Sequence, residues 1–247
     1  VQNEIVRILD TFSELEAELE AELEARRRQY QHYRDRLLTF DATSTHTPER
    51  RRLSDLGHWV GGLTPSKAEP RYWEDGTIPW VASMDVDGSA DLQVRSFVTP
   101  DAVKQTSLRK VPGPSVVVVT RSNILRRRLP IALARGDVTV NQDVRALIPS
   151  EGVAPEYVRF ALLAQAEAIR SSCVRVDGSM AAVDSKRFQN FEIPLPSFNE
   201  QRRVVAVLNS FEALVNDLSV GLPAELAARR KQYEYYRDKL LTFEEAT

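Results

Sequence analysis

Apolar and aromatic side chains fall at Ile8, Phe12, Leu15, Leu19 and Leu23, then at Tyr30, Tyr33, Leu37 and Phe40, with Arg26 in the seam position between Leu23 and Tyr30. Steps of three and four residues trace one face of a helix, and no Gly or Pro interrupts Ser13 to Arg36. The pattern predicts a single helix of roughly 38 residues, about 57 Å long. Such a helix cannot bury its stripe on itself and requires a partner of similar length. The far end supplies one: Val204, Val207, Phe211, Leu214 and Leu218 keep the same steps, and Leu222, Leu226, Arg229, Tyr233, Tyr236, Leu240 and Phe243 resume them. Gly can close one helix and Pro can open the next, so the second helix is expected to break near Gly221–Pro223 and the first is not.

Residues 21–40 (AELEARRRQYQHYRDRLLTF) and 224–243 (AELAARRKQYEYYRDKLLTF) are identical at fifteen of twenty positions. Leu9 aligns with Leu208 at an offset of 199 and Phe40 with Phe243 at 203, so the second copy carries four extra residues, about one helical turn. Two matching helices at the two ends of a chain most simply fold back as an antiparallel stalk. Repetition across such a stalk creates an approximate two-fold axis and two equivalent surfaces, suited to two identical partners. The repeated candidates are Arg27, Tyr30, Tyr33, Arg34 and Asp35 in the first copy and Arg230, Tyr233, Tyr236, Arg237 and Asp238 in the second. A stable coiled coil alone would also produce a helical repeat, but these motifs include exposed positions that packing does not demand.

Residues 42–198 read differently. Gly and Pro are frequent, and β-rich runs such as Val116–Thr120 and Val138–Val140 lie between turn signals at Asp75-Gly76, Pro112-Gly113-Pro114 and Asp177-Gly178. One internal helix is expected near Pro155–Ser171. The predicted architecture is therefore α+β: a long helix (1–41), a globular mixed α/β domain (42–198) inserted between the helices of an antiparallel coiled-coil stalk, and a broken second helix (199–247). Asp41–Pro48 and Pro194–Pro196 are the expected joints.

The longest purely aliphatic run, Val116–Val119, is far shorter than a membrane span, and the N-terminus lacks a signal-peptide profile; a cytoplasmic protein is expected. A first residue of Val in place of Met leads us to expect a piece of a longer chain or a trimmed one. One cysteine, Cys173, cannot form an internal disulfide and reads as a small buried hydrophobe; His32, His46 and His58 lack metal-site spacing. Net charge is −2, but Lys+Arg exceed Asp+Glu by 20 to 17 over residues 42–198, whereas the ends are acidic. The chain has no G-x-x-x-x-G-K-[ST], no G-x-G-x-x-G, no G-x-S-x-G and no Asn/Asp-Pro-Pro-aromatic tetrapeptide. Pro100-Asp101 with Asp184-Ser185-Lys186 is a poor nuclease signature, its halves more than eighty residues apart. These absences favour a binder over an enzyme.

The central domain instead offers basic, polar loops. Gly61-Gly62-Leu63-Thr64-Pro65-Ser66-Lys67 precedes Arg71-Tyr72-Trp73 and Trp80; Thr120-Arg121-Ser122-Asn123 follows the aliphatic strand, and Arg126-Arg127-Arg128 lies just beyond. Arg and Lys neutralise phosphates, while Arg, Asn, Ser and Thr can read base edges. Each feature also has an ordinary structural reading: Arg126–Arg128 as a solvated turn, Trp73 and Trp80 as core, Thr64-Pro65-Ser66 as turn chemistry.

GGLTPSKAEPRYWEDGTIPWV, VVVVTRSNI, VTVNQDVRALIP and FEIPLPSFNEQRRVVAVL, taken in order, resemble the target recognition domain of specificity subunits of type I restriction-modification systems. ARRKQYEYYRDKLLTF is similar to their conserved helical regions, so the resemblance covers nearly the whole chain. A full subunit of that family carries two recognition domains; the order here, helix, domain, helix, resembles its C-terminal half or a short half-subunit. The resemblance implies a non-catalytic protein that reads one half of a bipartite site in double-stranded DNA, with the helices setting the gap. It further implies two modification subunits as partners, which hold S-adenosylmethionine and methylate adenine, and motor-nuclease restriction subunits in the full complex. No cofactor is expected in this chain itself. By motif position the DNA-facing candidates are Thr64, Ser66, Lys67 and Arg71; Arg121, Ser122 and Asn123; Arg126, Arg127 and Arg128 as phosphate contacts; and Gly178, Ser179, Met180 and Lys186 as a third loop. Two copies joined through the seam would rebuild a two-domain unit. A scaffold or decoy that keeps the stalk but reads no DNA is the competing reading.

Overall fold

The computed structural model describes residues 2–39, 47–87, 92–216 and 221–242. In chain order the elements are α1 (Gln2–Leu38); β1 (Arg50–Arg52), β2 (Gly57–Gly61), β3 (Ile78–Val81) and β4 (Ser96–Val98); α2 (Pro100–Gln105); β5 (Ser115–Val119), β6 (Ile131–Ala134), β7 (Thr139–Val140) and β8 (Val144–Pro149); α3 (Pro155–Ala164) and α4 (Ala166–Cys173); β9 (Val174–Asp177) and β10 (Met180–Val183); α5 (Ser185–Asn190); β11 (Glu192–Pro194); α6 (Phe198–Asn216) and α7 (Gly221–Leu241). The fold is thus α+β, with a long helix on either side of a mixed domain. Two compact units result: Val1–Arg34 with Ala206–Thr247, and Asp35–Val205. The Asp41–Pro48 joint, Phe40, Leu218 and Phe243 lie wholly or mostly outside the described residues.

Within the helical unit, α1 runs antiparallel to the second helical segment. Tyr33 stacks on Phe211 at 6.4 Å, Arg230 bonds Glu16 at 2.6 Å and also Glu20, and Phe12 packs against Tyr233 and Tyr236 at 6.3 and 5.7 Å. As numbers fall along α1 they rise along its partner. Leu23 and Leu226, the same position of the two repeats, are both buried and line one groove together with Arg27 and Arg230. An antiparallel pair in which a repeat position meets itself has its two-fold axis there. The symmetry is incomplete. Positions matching Glu16 and Glu20 at the offset of 203 are Ser219 and Pro223, so Arg27 has no carboxylates equivalent to those that hold Arg230.

The seam of α1 differs from the predicted one. Ile5, Leu9, Phe12, Glu16, Leu19, Leu23, Tyr30 and Arg34 are buried or half-buried, while Ile8, Leu15 and Tyr33 are exposed. Of the predicted seam, Phe12, Leu19, Leu23 and Tyr30 do turn inward; Glu16 joins them as the acceptor for Arg230, and Arg34 places its guanidinium 6.0 Å from the Tyr30 ring. In α6 the inward residues are Val204 and Leu208; Val207, Phe211 and Leu214 are exposed. In α7 the predicted Leu226, Arg229, Tyr233 and Leu240 do turn inward, whereas Tyr236 is exposed and the Leu222 side chain lies outside the described ones. Asp35 is half-buried, and Arg237 pairs with Asp238 at 2.7 Å.

The globular unit is built on β5, whose five residues are all buried. An uninterrupted run of Val with no polar alternation suits a strand covered on both faces. It pairs antiparallel with β6 on one side and β8 on the other, and β2 closes the order β2-β8-β5-β6. A second sheet has the order β4-β3-β7, with β3 and β7 parallel. Val81, Val117, Val119, Val140, Val144 and Ala146 share one core cluster. α3 packs on β5 and β6, burying Tyr157, Phe160 and Leu162.

The helix expected near Pro155–Ser171 is two helices. Gln165 leaves helical geometry at φ −100 and ψ 7, and in the helix that follows Ile169 and Cys173 are buried while Glu167 is exposed.

At the start of α6, buried Gln201 ties two segments, the β8–α3 loop and the stretch before α6: its Oε1 accepts from Ala154 N at 2.8 Å, and its Nε2 donates to Gly152 O at 3.1 Å and Pro196 O at 2.9 Å. Gln201→Leu leaves these groups unpaired in the interior and is expected to cost about 3 kcal/mol, measured as a lower denaturant midpoint at unchanged slope.

Candidate nucleic-acid interface

Two polar loops meet at the turn between β7 and β8, and a third element is bonded to the second of them. The first follows β2. Gly62 is required where the loop crosses that turn, since a Cβ there would lie 1.6 Å from the Val140 carbonyl oxygen. Two tryptophans then fix the loop from below: Trp80 Nε1 donates to Leu63 O and Trp73 Nε1 to Ser66 O, both at 3.0 Å, with the rings edge-on at 5.1 Å. Both indoles belong to a satellite core with Tyr72 and Val98. Buried indole N–H groups seek an acceptor, and here the acceptors are the loop's own carbonyls. Thr64 Oγ1 donates to Gln142 Oε1 at 2.7 Å, whereas Ser66 and Lys67 are exposed. Arg71 is compensated locally by Glu69 at 3.1 Å and by the Tyr72 ring at 5.1 Å.

The second loop leaves β5. Asp143 O accepts from Thr120 N at 2.8 Å, Arg121 N at 3.1 Å and Thr120 Oγ1 at 3.2 Å. Asn141 braces the same turn: its N–H donates to Val81 O at 2.9 Å and its Oδ1 accepts from Asp143 N at 3.0 Å. Ser122 Oγ accepts from Ile124 N at 3.4 Å, capping the one-turn helix Asn123–Arg126.

The third element, the β9–β10 hairpin, is joined to the second loop along its β10 edge. Ser122 N donates to Ala181 O at 3.0 Å and Val183 N to Thr120 O at 2.8 Å. Its turn carries Gly178 at φ 69, a left-handed conformation that glycine adopts without strain. Ser179 and Met180 are exposed. Arg126 Nη2 donates to Gly178 O at 3.1 Å, and Arg170 Nη1 donates to Arg126 O at 3.2 Å. Hydrogen bonds from Arg170 hold the Glu167 carboxyl below the usual carboxylate range, and the same bonds raise Arg170. Asp184, which caps α5 by accepting from Arg187 N at 3.0 Å, is lowered first by that bond and further by Arg175 at 3.2 Å.

The sequence candidates therefore divide. Thr64, Ser122, Arg71 and Arg126 are engaged within the cluster; Lys67, Arg121, Asn123, Arg127 and Arg128 are exposed side chains with no hydrogen bond or ion pair of their own among the described residues. Lys186 lies apart on α5, in a depression shared with Ser172 and Cys173. Gln142, Asp143, Glu167 and Arg170 were not among the sequence candidates. Asn141-Gln142-Asp143 between two β-rich runs is a readable turn signal; nothing in the sequence links Arg170 to Arg126.

The profile of the Type I restriction modification DNA specificity domain matches residues 47–228. The chain is 42% identical over 243 residues to the Type I restriction enzyme EcoR124I/EcoR124II specificity subunit of Escherichia coli, covering 98% of this chain and 59% of that protein. Among solved structures, a chain from a study of complex assembly and conformational transition in the type I R-M system superposes with a TM-score of 0.73 at 16% identity, over 96% of this chain and 57% of that one. The HsdS subunit from Thermoanaerobacter tengcongensis gives 0.63 at 17%, over 96% and 56%. The chain thus spans somewhat over half the length of each.

Gly62→Ala is expected to destabilise the globular unit by about 3 kcal/mol, because a backbone carbonyl must move to admit the methyl group; chemical denaturation measures it. Asp184 has a folded pKa below its unfolded one, so its contribution is present above about pH 4 and is lost as pH falls through the folded value. Asn also caps helices but has no proton to gain, so the fall in Tm from pH 7 to pH 3 is expected to be smaller in Asp184→Asn than in the parent protein.

Proposed function

Since the chain belongs to the type I restriction-modification DNA specificity family, we propose that its loop cluster reads one half of a bipartite duplex site while its helical unit docks modification subunits. The observation that carries this reading is the hydrogen-bonded linkage of three loops, the first two at Gln142 and Asp143 and the hairpin through the second, in which Lys67, Arg121, Arg127 and Arg128 are exposed and have no ion pair among the described residues. Free cations on a rigid support bind phosphates with little ordering cost, and the neighbouring Asn123 can pair with a base edge. The chain itself contributes recognition, and the methyl transfer to adenine belongs to the modification subunits, which hold S-adenosylmethionine. Motor-nuclease subunits add cleavage. The self-facing repeat at Leu23 and Leu226 supports two docking surfaces, one per copy, built from Arg27, Tyr33 and their equivalents Arg230 and Tyr236. Two copies of the chain would together read an interrupted palindrome.

The test is co-expression with a modification subunit, followed by mapping of methylated adenines. An interrupted motif is expected; a stable complex that methylates no motif would replace this reading by a scaffold that binds partners without reading DNA. Arg127→Ala and Arg128→Ala are each expected to weaken all sequences alike and to reduce the slope of log K against log salt by about one. Asn123→Ala is expected to cost about 1 to 3 kcal/mol at one base pair and little elsewhere, read from binding to singly substituted duplexes.

A further inference from the structure

The β9–β10 hairpin is fastened along one edge by backbone bonds, but its turn is held by a side chain. Arg126 Nη2 donates to Gly178 O at 3.1 Å. Arg126 is in turn placed from behind: Arg170 Nη1 donates to its carbonyl at 3.2 Å, while Arg170 Nε and Nη2 grip the two oxygens of Glu167 at 2.9 and 2.5 Å. A two-stranded hairpin is marginal by itself, so the position of its turn depends on such a tether. Arg170 uses all three guanidinium nitrogens in two directions at once, a task lysine cannot perform. The arginine triplet is thereby sorted by contact: all three are exposed, but only Arg126 bonds the hairpin among the described residues.

We infer that Glu167, Arg170 and Arg126 are positioning residues for sequence recognition, a relay that holds the Gly178–Met180 turn where it meets DNA, and that Arg126 contacts no phosphate. This rests on the DNA reading of the loop cluster given above. Glu167 acts only through Arg170, and its carboxylate would repel a phosphate. Its role is therefore separable from direct contact.

The test uses the full-length protein with Arg126→Met, Arg126→Lys, Glu167→Gln and the double variant Arg126→Met/Glu167→Gln. Hydrogen exchange over residues 174–183 is expected to accelerate about 5-fold or more in Arg126→Met and Glu167→Gln, with β5 unchanged. Links in series are not additive, so the double variant is expected to go no further than the stronger single one. Arg126→Lys keeps one donor and is expected to recover part of the protection. In DNA binding, discrimination at a shared subset of base pairs is expected to fall roughly 10-fold in both single variants. The salt slope is expected to stay at the parent value. Unchanged exchange over 174–183 in Glu167→Gln overturns the relay. A slope reduced by about one with intact discrimination in Arg126→Met overturns it too, since that is the signature of a phosphate contact. Accelerated exchange in a protein whose parent form prefers no sequence overturns the recognition role and traces the failure to the DNA reading, the tether itself being then directly observed.

Discussion

A strand buried on both faces must satisfy its backbone where it ends, and β5 does so on a single carbonyl. At Thr120 and Arg121 two N–H groups and one hydroxyl converge on Asp143 O. From that point the first loop is reached through Gln142 and Thr64, and the hairpin through Thr120 O and Ala181 O. Loops that carry function are usually the mobile parts of a fold. Here the loops inherit order from the core strand because their backbone groups complete its hydrogen bonding. The side chains that remain, Lys67, Arg121, Asn123, Arg127 and Arg128, can change without disturbing this framework.

Charge is organised by the same logic. A surplus of three cations over residues 42–198 says little, since most positive groups there have work inside the fold. Arg71 faces Glu69, Arg175 faces Asp184, Arg170 faces Glu167, and Arg126 faces a carbonyl. What counts for a polyanion is the subset left without a partner on a braced surface, and that subset is defined by contacts between segments far apart in the chain.

In the helical unit, repetition and antiparallel pairing bring Leu23 opposite Leu226, so the two copies present like surfaces in opposite directions. The acidic half of α1 then breaks the equivalence. Glu16 and Glu20 hold Arg230, whereas the matching positions are Ser219 and Pro223, so the carboxylates that hold one copy's arginine are not repeated for the other.

The sequence by itself determined the elements whose signal is local and periodic: the long α1, the buried valine strand β5, the repeat and the inserted α+β domain. Periodicity is a property of neighbours three and four apart and needs no tertiary partner to be read. It also brought into view the loops that the structure ties together, because Gly, Thr, Ser and Arg clusters beside β-rich runs are visible in one dimension. Tertiary structure alone decided the rest. In α1 Glu16 is half-buried where Leu15 was expected, and its charge partner is Arg230, 214 residues away. The predicted helix at Pro155–Ser171 is divided at Gln165, and the second piece buries Ile169 and Cys173. Arg126 and Arg127, adjacent and chemically identical, differ in their contacts through a glycine carbonyl 52 positions further on, a distinction that only packing can draw.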